Sequence, residues 1–248
     1  MRGQSKREAQ QPLGGASAII AAAAHELKTP LTLITHISQM LADEQLGLTD
    51  QERVQYVQRL QLVSARTLRL VQHLTLSYRL EDAGQLAFAF ALEPINTREV
   101  CETALHELAP YAREYQQELH FKINTRPQVA LANRDILHDV VVNLVDNAIR
   151  HNAPGQTVEV TAATQAHHVR LNVHDTGAGI SQHELNRLRQ NLGRTPQPLS
   201  AHAGTSGLGL YIANQLTAAM GGSLGLGRAR QGTTFFVDLL GSKQLTLW

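Results

Sequence analysis

Apolar residues in the first part of the chain return at helical steps. From about residue 16 to 46 the composition favours helix, and Leu27, Leu31, Ile34 and Leu41 recur at three- and four-residue intervals, with Ser38 interrupting the row. Gly47 and Leu48-Thr49-Asp50 break the pattern, and Thr49 or Asp50 can cap a second helix running to about Glu81. That helix carries Tyr56, Val57, Leu60, Val63, Leu70, Val71 and Leu74, a stripe wider than a single seam. One helical hairpin cannot cover both stripes, so the pattern predicts two hairpins meeting as a four-helix bundle, and hence a homodimer.

Near Asp82-Ala83-Gly84-Gln85 the helical periodicity stops, which places a hinge at 83–85. Strand-like segments begin at 86–91 and continue at 119–123, 157–163, 169–174 and 233–240, with helices predicted over 97–116, 134–150 and 207–220. The alternation predicts an α/β two-layer sandwich over 86–242 behind the helical 16–82. Residues 1–15 read as a linker and 243–248 as a tail.

Composition narrows the function classes. Of 248 residues 43% are hydrophobic, and 22 basic against 21 acidic residues give a formal net charge of +1. So even a balance offers no broad attraction to nucleic acid or anionic lipid, and no nucleic-acid partner is expected. A single cysteine, Cys101, excludes an internal disulfide and thiol or zinc clusters, and suits a small buried apolar side chain. The apolar run at 18–24 is far shorter than the roughly 20 residues of a membrane span, and residues 1–11 lack the apolar core of a secretory signal. A cytoplasmic chain is expected, with a membrane-anchored longer parent left open.

Candidate chemistry sits at four places. His25 lies two positions before Leu27, roughly 200° around the helix, so its imidazole should face solvent. Thr29 follows on the same face and Glu26 flanks it, while Pro30 crowds the Glu26 carbonyl and should bend the helix. Taken alone, such a group is an ordinary solvated surface. Asp139, Asn143 and Asn147 recur every four residues on an otherwise apolar helix, where they either meet a ligand, metal or water or form a solvated stripe. Asp175-Thr176-Gly177-Ala178-Gly179-Ile180 follows a strand and either admits a flat ligand to the backbone or makes a common turn. Gly204-Thr205-Ser206-Gly207-Leu208-Gly209-Leu210 enters a helix whose N–H groups suit phosphate oxygens, although tight packing gives similar composition. Its spacing fits neither the P-loop nor the Rossmann glycine pattern.

In this order, His25-Glu26-Leu27-Lys28-Thr29-Pro30-Leu31, Asn143 with Asn147, and the two glycine-rich blocks resemble the transmitter core of a sensor histidine kinase of two-component systems, from about residue 18 to 240. The resemblance implies a dimeric four-helix bundle followed by an ATP-binding domain of the Bergerat (GHKL) type. It implies that His25 attacks the γ-phosphate of ATP, that Glu26 orients and deprotonates the imidazole, and that Thr29 places a water for dephosphorylating a partner. In the nucleotide pocket it makes Asn143 the Mg²⁺ ligand, Asn147 a nucleotide contact, Arg150 a phosphate contact and Asp139 a support of the metal site. Asp175 becomes the reader of the adenine amino group, and Gly177, Gly179, Gly204, Gly207, Leu208 and Gly209 belong to the glycine boxes. The implied partners are a second copy, a response-regulator receiver domain that accepts the phosphoryl group on an aspartate, and an upstream sensor domain or protein outside this sequence.

One block departs from the family pattern. Residues 181–203 read as a short helix and then a lid carrying Gly193, Pro196 and Pro198, but no phenylalanine occurs between Ile180 and Gly204, where the family has its phenylalanine box. Arg187, Arg189 or Arg194 could still neutralise phosphate charge. The departure motivates one rival reading, an ATP-binding dimeric scaffold or phosphatase-biased pseudokinase. A second rival is an ATP hydrolase of the same superfamily in which Asp139 activates water.

Overall fold

In the computed structural model residues 15–82, 91–122, 128–192 and 207–241 are described, with the side chains of 15–18, 77–82 and 191 left aside. The hinge at 83–85, the strand-like 86–90, the lid beyond residue 192 with Arg194 and Gly204, the tail and nearly all of the linker lie outside the described residues.

Helix α1 (Gly15–Ala42) runs through Pro30 without a break. It ends short of residue 46 because Asp43 Oδ1 accepts from Gln45 N at 2.9 Å and Gly47 turns at φ 58°, closing a 3₁₀ turn over Glu44–Leu46. Helix α2 (Asp50–Asp82) opens on a reciprocal cap: Thr49 N donates to Glu52 Oε2 at 2.9 Å and Glu52 N donates to Thr49 Oγ1 at 3.3 Å. The Thr49 hydroxyl and amide hold the Glu52 carboxyl below the usual carboxylate range. Between the helices Ile37 is 1% exposed, whereas Leu31, a member of the expected stripe, is 51% exposed. Leu27, Ile34 and Leu41 of the expected stripe are half-buried with Ile37 and only Leu31 turns outward, so that Ile20, Leu31, Val54, Val57, Leu68 and Val71 remain open apolar surface.

Behind the hairpin, β1 (Glu93–Asn96) pairs antiparallel with β3 (Val129–Ala132). Neither strand is singled out by the sequence pattern, since each has only four residues in which to alternate. The main sheet holds β2 (Glu118–Lys122), β4 (Thr157–Gln165), β5 (His168–Asp175), β7 (Thr233–Leu240) and β6 (Ser223–Leu226), in the order β2-β4-β5-β7-β6. Only β2 and β4 run parallel; the other pairs are antiparallel.

Alternation sends Val158, Val160, Val169, Leu171, Val173, Phe235, Val237 and Leu239 inward. The opposite face is polar, with Arg170 forked onto Asp238 at 2.7 and 2.6 Å and lying 3.8 Å over the Phe236 ring. Against the inner face lie α3 (Thr97–Glu114), α4 (Arg134–His151) and α6 (Leu208–Ala219), giving the expected hairpin followed by a two-layer sandwich. A short α5 (Gln182–Asn191) follows β5 and seats Leu188 at 0% exposure. Cys101 is buried as expected, and burial pushes its thiol up to about 12.

Helix α4 is fixed at its start by Asn133, whose Oδ1 accepts from Ile136 N at 3.1 Å. Leu137, Val140, Val141, Leu144, Val145, Ala148 and Ile149 fill the core from one side of the helix, which leaves 139, 143, 146, 147 and 150 on the other. Truncating the buried side should loosen the polar one. Leu144→Ala is expected to cost roughly 2–5 kcal/mol in urea denaturation, and a loss below about 1 kcal/mol would contradict this packing.

Candidate active site

Apart from the partly exposed Arg150, the polar side of α4 is withdrawn from water. It faces the hairpin across a cleft of about 440 Å³ whose lining includes His25, Glu26 and Thr29 of α1, Asn143, Asn147 and Arg150 of α4, and Gly207, Leu208 and Gly209 at the start of α6. His25 and Thr29 are exposed one helical turn apart, as their phase to Leu27 predicts. Glu26 beside them is 20% exposed and accepts from Arg150 Nη1 at 3.1 Å. The phosphoacceptor block and most of the asparagine and second glycine blocks are thus brought together, although more than a hundred residues separate them.

Arg150 is shared. Its Nε and Nη2 each lie 3.2 Å from Asp146 Oδ2, while its Nη1 reaches Glu26. Burial alone would disfavour its charge, but the carboxylates of Asp146 and Glu26 outweigh that and raise its pKa, so the guanidinium stays protonated. Asn143 is held by its amide nitrogen: Nδ2 donates to the Asp139 carbonyl oxygen at 2.9 Å and faces His73 Nδ1 at 3.2 Å. With the amide nitrogen turned to those two groups, the side-chain oxygen is the atom left to take a hard cation.

At the start of α6, Gly207 adopts φ 68° and brings no side-chain cap, so the helix's positive end opens into the cleft. A Cβ at Gly209 would touch nothing within 4 Å, so no protein atom demands a glycine there and the space in front is left open. Gly177 is different. A Cβ there would strike Asn152 Oδ1 at 2.3 Å, and Gly179 takes φ +75° beneath the Gly232 carbonyl. Asp175 Oδ1 accepts from Gly177 N at 2.9 Å and from Thr233 N at 3.3 Å, which fixes the loop that leaves β5. Asp175, Gly177 and Gly179 do not line the cleft shared with His25, and Gly204 lies outside the described residues.

Asp139 is also absent from the cleft lining. Its Oδ2 is 2.8 Å from His73 Nε2, close but without the alignment of a hydrogen bond, and its Oδ1 is 3.7 Å from His138 Nδ1. Burial works against its charge, yet the imidazoles of His138 and His73 prevail and hold the carboxyl down at about 2. Arg187 and Arg189 are not among the lining residues either.

Sequence reasoning missed the groups on α2 that close the cleft. Arg59 pairs with Glu114 at 2.9 Å, Arg69 pairs with Glu107, and Arg66 reaches Asp146 at 2.8 Å and the Tyr111 hydroxyl at 2.7 Å, with its guanidinium 4.9 Å from the Tyr111 ring centre. His73, 3% exposed, sits between Asp139 and Asn143. A signal existed: residues 59, 66, 69 and 73 are spaced by seven, three and four, one face of a helix.

With this geometry in hand, two family matches account for the two halves. Residues 16–83 match the His Kinase A (phospho-acceptor) domain, and residues 132–242 match the Histidine kinase-, DNA gyrase B-, and HSP90-like ATPase. The chain thus carries a phospho-acceptor domain followed by an ATPase domain, the two-domain transmitter core of two-component systems, and is similar to sensor histidine kinases. Sensor protein GacS of Pseudomonas syringae pv. syringae is 28% identical over 241 residues, 95% of this chain and 26% of that protein. Sensor protein kinase PmrB of Pseudomonas aeruginosa is 31% identical over 212 residues, 85% of this chain and 42% of the relative. The chain therefore spans 26% and 42% of the length of these two relatives, less than half of either. Among solved structures, histidine kinase ThkA in complex with response regulator protein TrrA shares the fold at a TM-score of 0.57 and 19% identity, over 90% of this chain and 60% of that one.

The depressed Asp139 carboxyl has a measurable consequence. Because its folded value of about 2 lies below the ordinary aspartate value of 3.8, its ionised form contributes stability above pH 3.8 that is lost as pH falls toward 2. The stability advantage of the native chain over Asp139→Asn should shrink by roughly 2 kcal/mol between pH 6 and pH 2, mostly below pH 4. Parallel denaturation curves whose separation does not change with pH would count against the two-imidazole contact.

Proposed function

We propose that the chain is an ATP-dependent protein-histidine kinase, which autophosphorylates His25 and passes the phosphoryl group to an aspartate of a response-regulator receiver domain. One observation carries the reading: an exposed imidazole and the groups expected to hold a triphosphate line the same cleft. The lone-pair nitrogen of His25 attacks the γ-phosphorus as the bond to the β–γ bridging oxygen breaks, ADP leaves with the bonding electrons, and the proton on the other ring nitrogen passes to Glu26. Glu26 is first held by Arg150, so incoming phosphate oxygens compete for that guanidinium and free the carboxylate to turn to the imidazole. Asn147 and the N–H groups that open α6 at Leu208 and Gly209 position the phosphates, and Asp175 reads the adenine end.

The residues suit Mg²⁺. Asn143 would hold it through its side-chain oxygen, and the ion would supply charge neutralisation on the phosphates when bound. Asp139 supports this end of the pocket from behind, and a carboxylate held near 2 makes a poor general base, which weighs against a hydrolase that activates water there.

We further infer that residues 16–82 and 86–242 act as separate domains joined at 83–85, and that the open apolar face of the hairpin is covered by a second copy. Thr29, exposed one turn beyond His25, is placed to orient a water for dephosphorylating the regulator. An upstream sensor segment or protein supplies the stimulus, and the ATP and regulator place the reaction on the cytoplasmic side. No helix among the described residues is long and apolar enough to cross a membrane.

Incubation with γ-labelled ATP and Mg²⁺ tests the proposal. Acid-labile, alkali-stable label on the chain, abolished by His25→Gln, is the expected result. Nucleotide binding with no label, or sustained phosphate release without it, would refute the kinase reading.

A further inference from the structure

We propose that His73 of α2 is a positioning residue for the metal end of the nucleotide site: it holds the Asn143 carboxamide with its oxygen free for the cation, so that the hairpin finishes a site built on α4. This rests on Asn143 as the Mg²⁺ ligand in the function proposed above, and adds the group that orients it.

One contact identifies the two ends of the carboxamide. Asn143 Nδ2 donates to the Asp139 carbonyl oxygen at 2.9 Å, and a carbonyl oxygen only accepts, so this end is the nitrogen. The same nitrogen lies 3.2 Å from His73 Nδ1. An amide nitrogen has no lone pair to offer, so Nδ1 is the acceptor and the proton of the neutral imidazole sits on Nε2. Nε2 in turn lies 2.8 Å from Asp139 Oδ2. The tautomer that Asn143 requires is therefore the one that the Asp139 carboxylate favours.

This arrangement selects between two carboxamide orientations of nearly the same shape. Turned over, the amide would set its oxygen against the Asp139 carbonyl oxygen and the His73 lone pair, and would present its nitrogen to the cation. His73 is 3% exposed, so water competes little for Nδ1. Both His73 and Asn143 line the cleft, while Asp139 stands behind them. Asp139 and Asn143 are one turn apart on α4, which lets a single imidazole span both.

The ring comes from the hairpin and the carboxamide from the ATP-binding domain, so the orientation is complete only where α2 packs against α4. Metal–nucleotide affinity and that packing are then coupled, and by reciprocity a bound metal–nucleotide favours the packed arrangement. His73 acts through Asn143 and does not touch the reacting atoms.

His73→Leu and His73→Asn form the two arms of the test, because the replacements have nearly the same shape and only the second keeps an oxygen acceptor near the place of Nδ1. Binding of a fluorescent ATP analogue to the full chain is measured in Mg²⁺ and in EDTA. His73→Leu should raise the Mg²⁺ concentration needed for half-maximal binding about tenfold, with affinity in EDTA kept within about twofold of native, which also shows that the domain is folded. His73→Asn should return the Mg²⁺ requirement to within about threefold of native. In the native chain, long-range nitrogen spectra of the His73 ring should place the proton on Nε2. An unchanged Mg²⁺ requirement in His73→Leu, equal losses in both variants with and without metal, or a proton on Nδ1 would overturn the proposal. A native chain whose analogue binding ignores Mg²⁺ would instead remove the metal reading of Asn143 and this inference with it, whereas the kinase reading is decided separately by label on His25.

Discussion

Helix α4 has no free side, and the rest of the molecule is arranged by that constraint. Its apolar face is committed to the sheet through Leu137, Val141, Leu144 and Val145, each no more than 2% exposed. Its other face carries two carboxamides, two carboxylates and a guanidinium, whose withdrawal into a half-buried cleft is costly without partners. The hairpin supplies partners to four of them: Arg66 for Asp146, His73 for Asp139 and Asn143, and Glu26 for Arg150. The pairing that satisfies α4 also sets the expected acceptor histidine beside the expected nucleotide groups. Packing and chemistry share one origin here.

The same pairings describe a resting arrangement. Glu26, the expected base, and Arg150, the expected phosphate contact, satisfy each other, so neither is spent in solvent while the cleft awaits substrate. A triphosphate carries enough negative charge to compete for Arg150, and the carboxylate it displaces lies next to the imidazole that must lose a proton. Arg150 remains cationic throughout, since Asp146 holds it from the other side. Asn143 needs no such exchange for the role proposed for it, because its contacts use the amide nitrogen and leave the side-chain oxygen open to a cation.

The fold was largely legible in the chain because long elements carry their own periodicity. The helices of the hairpin, α3, α4 and α6, and the strands β4, β5 and β7, repeat their apolar pattern often enough to be read. β1 and β3 have four residues each, too few to distinguish alternation from chance. Within α1 the apolar residues are spread wide enough that two neighbouring stripes fit the spacing, and only the partner helix decides that Ile37 rather than Leu31 is buried. At the site, the exposure of His25 followed from its phase to Leu27, and the shared face of Asn143 and Asn147 from their four-residue step. What was not legible was which group meets which across the cleft. Arg66, Arg69 and His73 look like the solvated face of a helix until α4 is laid against them, because charge complementarity between distant segments leaves no local signature. Asp139 was expected to support the metal site; it stands behind Asn143, tied to two imidazoles that its own sequence neighbourhood does not fully announce.

The central claim is that the His25 imidazole faces the phosphate end of the nucleotide site across one cleft. It is tested most directly by paramagnetic broadening of histidine ring signals in the chain loaded with Mn²⁺ and a non-hydrolysable ATP analogue. His25 should broaden strongly, and His36, eleven residues further along α1 and about 16 Å away along the helix axis, far less. A His25 signal no broader than that of His36, with the analogue bound, would contradict the account.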